Sequence, residues 1–360
     1  MRRLLLFLAV LAAALPALAG DLEGYVYSSE GTALTGATAT AYLVEGSTER
    51  QLRIEKHAAR PALATAQSKD GRFALANLPD GIVDVDVRAD GYAPVVVRTL
   101  VSDGAVSATL RRAPVAQGRV TVQGKPVANA WVVWSGINGV ETAAATDPNG
   151  RYRMPQPGAW AQQVDIVHPA YVLPRLERYG LDTLQHALEP RPKDERPPAR
   201  GAGIISGTVR VGKKPLAGAP VLVQLVGADQ SDVLRVVTDA KGRYQAGGLA
   251  PGSYLVFMGE GLSPRLRSPN DSRMYEDESG PAVDLQKERT GTIDIDLFAS
   301  PLISGRVTDA DSQPVAGAQV QVILAGRSTF DFMQEPSVRT TPDGRYSIPH
   351  RRSSRRSRPR

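Results

Sequence analysis

The chain writes one short block four times: "SKDGRF" at 68–73, "TDPNGRY" at 146–152, "DAKGRY" at 239–244 and "TPDGRY" at 341–346. Each copy opens upstream with Gly-x-Val: Gly24-Tyr25-Val26, Gly118-Arg119-Val120, Gly207-Thr208-Val209 and Gly305-Arg306-Val307, spaced 94, 89 and 98 residues apart. Between opening and turn lies a small pair followed by alternation: "GATATA" at 36–41, "NAWVVW" at 129–134, "GAPVLV" at 218–223 and "GAQVQV" at 317–322. Solenoid units repeat every ~20–50 residues and fold only when stacked. A period near 90 makes each copy a small domain in its own right.

Period-two alternation with a turn signal every few residues argues for strands, and several such strands per copy for a β-sandwich. In "IVDVDVR" at 82–88, Val83, Val85 and Val87 are expected to face a core and Asp84, Asp86 and Arg88 to face solvent. In Asp147-Pro148-Asn149-Gly150 the Asp caps the turn, Pro presets φ and Gly takes a conformation other residues avoid; Tyr152 then enters the core. The reading is all-β: a tandem array of antiparallel, Greek-key, Ig-like or transthyretin-like sandwiches. The expected limits are 20–112 for repeat 1, 113–190 for repeat 2, 204–299 for repeat 3 and 300–349 for an incomplete repeat 4. Between repeats 2 and 3 the stretch "EPRPKDERPPARGAG" at 189–203 reads as an extended Pro-rich linker, taken as 191–203.

The ordered set of Gly-x-Val, AGAxVxV, TDxxGRY and LxPGxY resembles the carboxypeptidase regulatory-like repeat, a transthyretin-like sandwich grouped by fold with carbohydrate-binding-like domains. Repeat 3 matches best, with "GTVRVGKKPLAGAPVLV", "TDAKGRY" and "LAPGSYLV". Repeat 1 is looser and carries an insertion at roughly 45–65; repeat 2 has Asn129 where the others have Gly. The resemblance implies an accessory module of exported proteins with a binding, spacing or stabilising role.

The opening residues, "MRRLLLFLAVLAAALPALAG", have a basic start, an apolar stretch and the small-x-small triplet Ala17-Leu18-Ala19. This is the pattern of a secretory signal peptide over 1–19. The apolar run is shorter than the ~20 residues a membrane span needs, so no transmembrane segment is expected after cleavage. The chain has no Cys and therefore no disulfides. The formal charge of +6 is set by the ends: the last ten residues hold six Arg and the first three hold two, and without them the body stands at −2. No nucleic-acid binding is expected of such a body. Repeat 4 breaks off after "GRYSIPH" into "RRSSRRSRPR". The basic tail at 350–360 reads either as a truncation or frameshift product or as a native tail for an acidic polymer.

No acid, base and nucleophile converge in the sequence, so no catalytic residue, cofactor or metal site is assigned. "HALE" offers His186 and Glu189 at H-x-x-E spacing, but it falls where each repeat expects its last strand, and His57, His168 and His350 supply no third ligand. The pairs Asp84/Asp86 and Asp294/Asp296 read as solvated faces, with calcium as the alternative. The acidic "YEDESG" at 275–280 reads as an exposed loop or a loose cation site. Arg72, Arg151, Arg243 and Arg345 recur in the turns, as shared anion contacts or as surface residues pairing with acids. Of the three Trp, Trp134 and Trp160 fall on core positions. Trp131 falls on an outer face, and is the one candidate contact for a ligand or partner, or for a neighbouring repeat. The expected function is an exported, non-enzymatic binding or scaffold protein of the periplasm or cell surface, its partner a polysaccharide or an envelope protein. The alternative is the accessory N-terminal region of a larger exported hydrolase or outer-membrane receptor.

Overall fold

The computed structural model describes residues 18–136, 139–155, 161–174, 184–192, 201–227, 233–258, 266–267, 281–286, 288–322 and 337–349. Strands dominate. Repeat 1 contains β1 (Leu18–Ser28), β2 (Thr38–Leu43), α1 (Ser47–Glu55), β3 (Ala62–Gln67), β4 (Arg72–Pro79), β5 (Ile82–Arg88), β6 (Val95–Leu100) and β7 (Ala105–Leu110). One sheet runs β4-β1-β7 and the other β3-β2-β5-β6. Between them lies a core that includes Leu22, Val26, Phe73, Leu75, Val83, Val85, Val87 and Leu110. The sheets are antiparallel except at one place: β7 runs parallel to β1, with Val26 opposite Ala108. The same parallel pairing joins Gln185–Pro190 to Val115–Val122 in repeat 2, and Ile295–Ala299 to Gly203–Val211 in repeat 3. The chain enters and leaves each of these units side by side.

The repeated motifs meet in space. Each opening Gly lies directly across the ladder from the turn's aromatic: Gly24 opposite Phe73, Gly118 opposite Tyr152, Gly207 opposite Tyr244 and Gly305 opposite Tyr346. The ring occupies the space a side chain would take; a Cβ on Gly118 would fall 2.1 Å from Tyr152 Cζ. The Val two residues on donates its N–H to the turn glycine's carbonyl, from Val26 to Gly71 (2.8 Å), Val120 to Gly150 (2.8 Å), Val209 to Gly242 (2.7 Å) and Val307 to Gly344 (2.8 Å). These four turn glycines have φ between 70° and 77°. That left-handed region costs glycine least.

A third contact ties strand to turn. The hydroxyl of Ser68, Thr146, Thr238 or Thr340 accepts from the N–H of Ala37, Ala130, Ala219 or Ala318 (2.8–3.0 Å). The same hydroxyl donates to the carbonyl of Leu34, Val127, Leu216 or Val315 (2.6–2.7 Å). Before each Ala stands a residue with positive φ: Gly36, Gly218 and Gly317 in three repeats, Asn129 with φ 57° in repeat 2. Asn tolerates that region, which is why repeat 2 departs from Gly there at little cost.

Asp84 and Asp86 correct the expectation of a solvated face. Val83, Val85 and Val87 do face the core, but Asp84 is only 1% exposed and Asp86 8%. Alternation tells which residues share a face and is silent on whether that face meets water. In repeat 1 the outer face of β5 is covered, and Asp84 is neutralised there by Arg98 directly across on β6 (2.7 Å) and by Arg60 (2.7 Å). By contrast Asp294 and Asp296 stay exposed and share Arg210 at 3.3 and 3.0 Å.

In repeat 4 the strands Leu302–Arg306 and Arg345–Pro349 pair, as do Gln319–Gln321 and Ser337–Arg339. Among the described residues, Leu302–Arg306 has this one strand neighbour. The C-terminal basic tail, Trp160, His350 and "YEDESG" lie outside the described residues.

Candidate functional site

Repeat 1 touches each of the other three, and its insertion supplies much of the contact. Helix α1 begins after Gly46, whose N–H donates to Glu49 Oε2 (2.9 Å). The helix ends at Glu55, and His57 follows with φ 51°. Arg50 and Arg53, three apart, share one helix face. Both reach into repeat 2: Arg50 Nε to Glu141 Oε1 (2.7 Å), Arg50 Nη2 to Asp165 Oδ2 (3.3 Å) and Arg53 Nη2 to Glu141 Oε2 (2.8 Å). Arg53 also pairs with Glu45 (2.7 Å), while Arg88 donates to the Glu141 carbonyl (2.6 Å). All of Arg50, Arg53, Glu45, Glu141 and Asp165 are less than a fifth exposed. Pairs this dry are costly to break one partner at a time, because the survivor is stranded.

Trp131 sits on the rim of this network. Its ring stacks on His57 with centroids 5.5 Å apart and planes 24° from parallel. Further along the same strand Val133 and Ser135 are buried on the outer face. That face of repeat 2 is thus turned toward other protein.

The junction with repeat 3 is made by backbone and apolar side chains. Ile82 N–H donates to the Ala217 carbonyl (2.9 Å). Ile82 and Val44 join the core cluster of repeat 3, with Leu100 packed against it. Gly81 (φ 113°) and Gly218 (φ 71°) allow the close approach: a Cβ on either would fall 2.5 or 2.4 Å from the opposing carbonyl oxygen. Arg235 N–H donates to Ser47 Oγ (2.9 Å). The Arg235 guanidinium enters the region of Asp84 and Arg98; burial and the Arg98 charge lower its pKa. With repeat 4, Tyr27 Oη donates to the Thr340 carbonyl (3.0 Å), and Arg339 donates to the carbonyls of Ser29 and Gly317.

The remaining sequence candidates find structural places. His186 lies on the strand Gln185–Pro190, 2% exposed, with Nε2 3.0 Å from Tyr152 Oη. Burial lowers the His186 pKa to about 4 and pushes that of Tyr152 up to about 12, so both are neutral near pH 7. Glu189 is exposed on the opposite strand face and does not converge with His186. Trp134 is 1% exposed, in the core. Of the turn arginines, Arg243 pairs with Asp239 (2.8 Å), Arg345 with Asp343 (3.3 Å), and Arg72 lies 6.0 Å from the Tyr25 ring centroid. Among the described residues there is no cluster of three or more His, Cys, Asp or Glu placed to hold a metal, and no helix is long and apolar enough to cross a membrane. Sequence reasoning missed the junction residues Arg50, Arg53, Glu141 and Asp165. The one available signal was the insertion at 45–65, which breaks the repeat in one copy alone.

Strands, sheets and turns define the class: an all-β, multi-sheet protein. No family model matches the chain, and no curated protein does. Among solved structures it is similar to the TIE protein of Bacillus anthracis, at 16% identity and a TM-score of 0.20, covering 78% of this chain and 51% of that one. This chain thus spans about half the length of that protein. It is also similar to BcpA, the major pilin subunit of Bacillus cereus (11% identity, TM-score 0.19, covering 78% and 99%). A third is the major pilin SpaD of Corynebacterium diphtheriae (10% identity, TM-score 0.19, covering 78% and 97%). At such TM-scores these likenesses carry no argument about what the chain does.

Proposed function

We propose that the chain is an exported, non-enzymatic scaffold whose first repeat gathers the other three into a fixed arrangement. The observation that carries this reading is the position of repeat 1: ion pairs and a ring stack toward repeat 2, a shared core toward repeat 3, and hydrogen bonds toward repeat 4. Export rests on the signal-like opening residues. The periplasm or the cell surface is the expected location, and an envelope polymer or protein the expected partner class. In this reading Trp131 serves a partner contact within the chain, with repeat 1 as the partner. Small-angle scattering on the purified chain tests it. A charge reversal Glu141→Arg combined with Ile82→Asp should lengthen the maximum dimension, while circular dichroism keeps its strand signature. A wild-type profile of separately tumbling modules, unaltered by these substitutions, overturns it.

A further inference from the structure

Between repeats 1 and 4 lies a cleft of about 1100 Å³. Both repeats line it with mixed walls, in which Val97, Leu302 and Val338 stand among polar and charged residues. From repeat 1 comes the outer face of β7, with Ser107, Thr109 and Arg111; these alternate with buried Val106, Ala108 and Leu110. From repeat 4 come Ser304 and Arg306, directly across the ladder from Ser347 and Arg345. Eight of the lining residues are Ser or Thr. Five are Arg against one acid, Asp103. Arg98 pairs with Asp84, Arg345 shares Asp343 and Arg339 is held by the Ser29 and Gly317 carbonyls, which leaves Arg111 and Arg306 as the candidate anion contacts. Tyr25 and Tyr346 place rings at the same walls.

We infer that this cleft binds a carboxylated polysaccharide. The volume lies just above the ~300–1,000 Å³ usual for ligand sites and suits several linked rings rather than one small molecule. The hydroxyls in its walls hold water, and a ligand displaces that water without loss only when it offers hydrogen bonds in return, as sugar hydroxyls do, while the apolar lining suits the faces of sugar rings. The guanidinium groups meet carboxylates with two parallel hydrogen bonds each. An acidic peptide would meet the same charges and offer its backbone N–H and C=O groups to the hydroxyls, so poly-L-glutamate is the competing ligand the test has to exclude. The inference rests on the scaffold reading, because repeats 1 and 4 form the cleft together.

The test is calorimetric titration of the full chain with polygalacturonate oligosaccharides, neutral maltohexaose and poly-L-glutamate. The double variant Arg111→Gln/Arg306→Gln, on exposed side chains, keeps the basic tail constant across samples. Binding of polygalacturonate alone, weakened at least tenfold in the variant and falling with added salt, is the expected result. Equal binding of maltohexaose, stronger binding of poly-L-glutamate, binding unaffected by the variant, or no binding overturns the inference. Scattering on the same samples separates the failures: a compact chain that does not bind refutes the ligand, and an extended chain refutes the scaffold.

Discussion

Gly118 and Tyr152 occupy one place in the fold: the ring lies where a side chain at 118 would begin, 2.1 Å from the position of its Cβ. The ring cannot move aside, since Tyr152 Oη is held by His186 Nε2 (3.0 Å) and the Leu184 carbonyl (3.2 Å) in a buried setting. Gly118→Ala should therefore destabilise the chain by ~1–3 kcal/mol, the usual cost of overpacking. Gly247→Ala is the control, for nothing lies within 4 Å of its Cβ position. It should be neutral or slightly stabilising by ~0.5 kcal/mol. Urea unfolding of both variants reads the difference.

The Thr146 hydroxyl satisfies the Ala130 N–H and the Val127 carbonyl at once, with the side chain buried. Thr146→Val keeps the shape and strands both groups, at ~1–3 kcal/mol for each buried unpaired group. Thr146→Ser should restore most of the stability, because Ser68 performs the same role in repeat 1. Thermal melts of the two variants decide between a hydrogen-bonding and a packing role.

His186 makes stability depend on pH. Its folded-state pKa is lowered to about 4 from an unfolded value of 6.5. Between those values the unfolded chain holds a proton that the folded chain does not, so stability rises with pH across that window. The contribution is fully present above about pH 6.5 and is lost as pH falls toward 4. Each tenfold difference in proton affinity between the folded and unfolded chain is worth about 1.4 kcal/mol, so the loss approaches ~3 kcal/mol. His186→Gln should flatten this part of the profile measured by denaturant unfolding at pH 7, 5.5 and 4.5.

Asp84→Asn should cost ~3–5 kcal/mol, because Arg98 and Arg60 would lose the buried carboxylate they share. The paired change Asp84→Leu with Arg98→Met should recover part of that loss. A double variant as unstable as the sum of the single ones would count against a coupled pair.

Much of each repeat was legible. The alternation of Val83, Val85 and Val87 identified a core face, and the turn motif identified where Tyr152 and Tyr244 enter. Asp84 and Asp86 were misread because period two assigns a face and cannot say what covers it. The cover comes from Arg60 in the insertion and from residues far away in sequence, such as Glu141, which Arg88 reaches beside Asp86, and Arg235 in the region of Asp84. The parallel pairing of β1 with β7 was equally hidden: neither strand carries a pattern that names its partner. Trp131 was assigned to an outer face, but its neighbour His57 stands on the insertion at 45–65, which breaks the repeat in one copy alone.

The central claim is that repeat 1 holds the other repeats, with α1 carrying the junction to repeat 2, and hydrogen exchange along Ser47–Glu55 tests that junction most directly. An isolated nine-residue helix is marginal in water, so its protection has to come from packing. The account predicts protected α1 amides in the full chain. It further predicts that Glu141→Arg removes that protection while the β2 and β5 amides keep theirs. Protection of α1 that is unchanged by Glu141→Arg would contradict it.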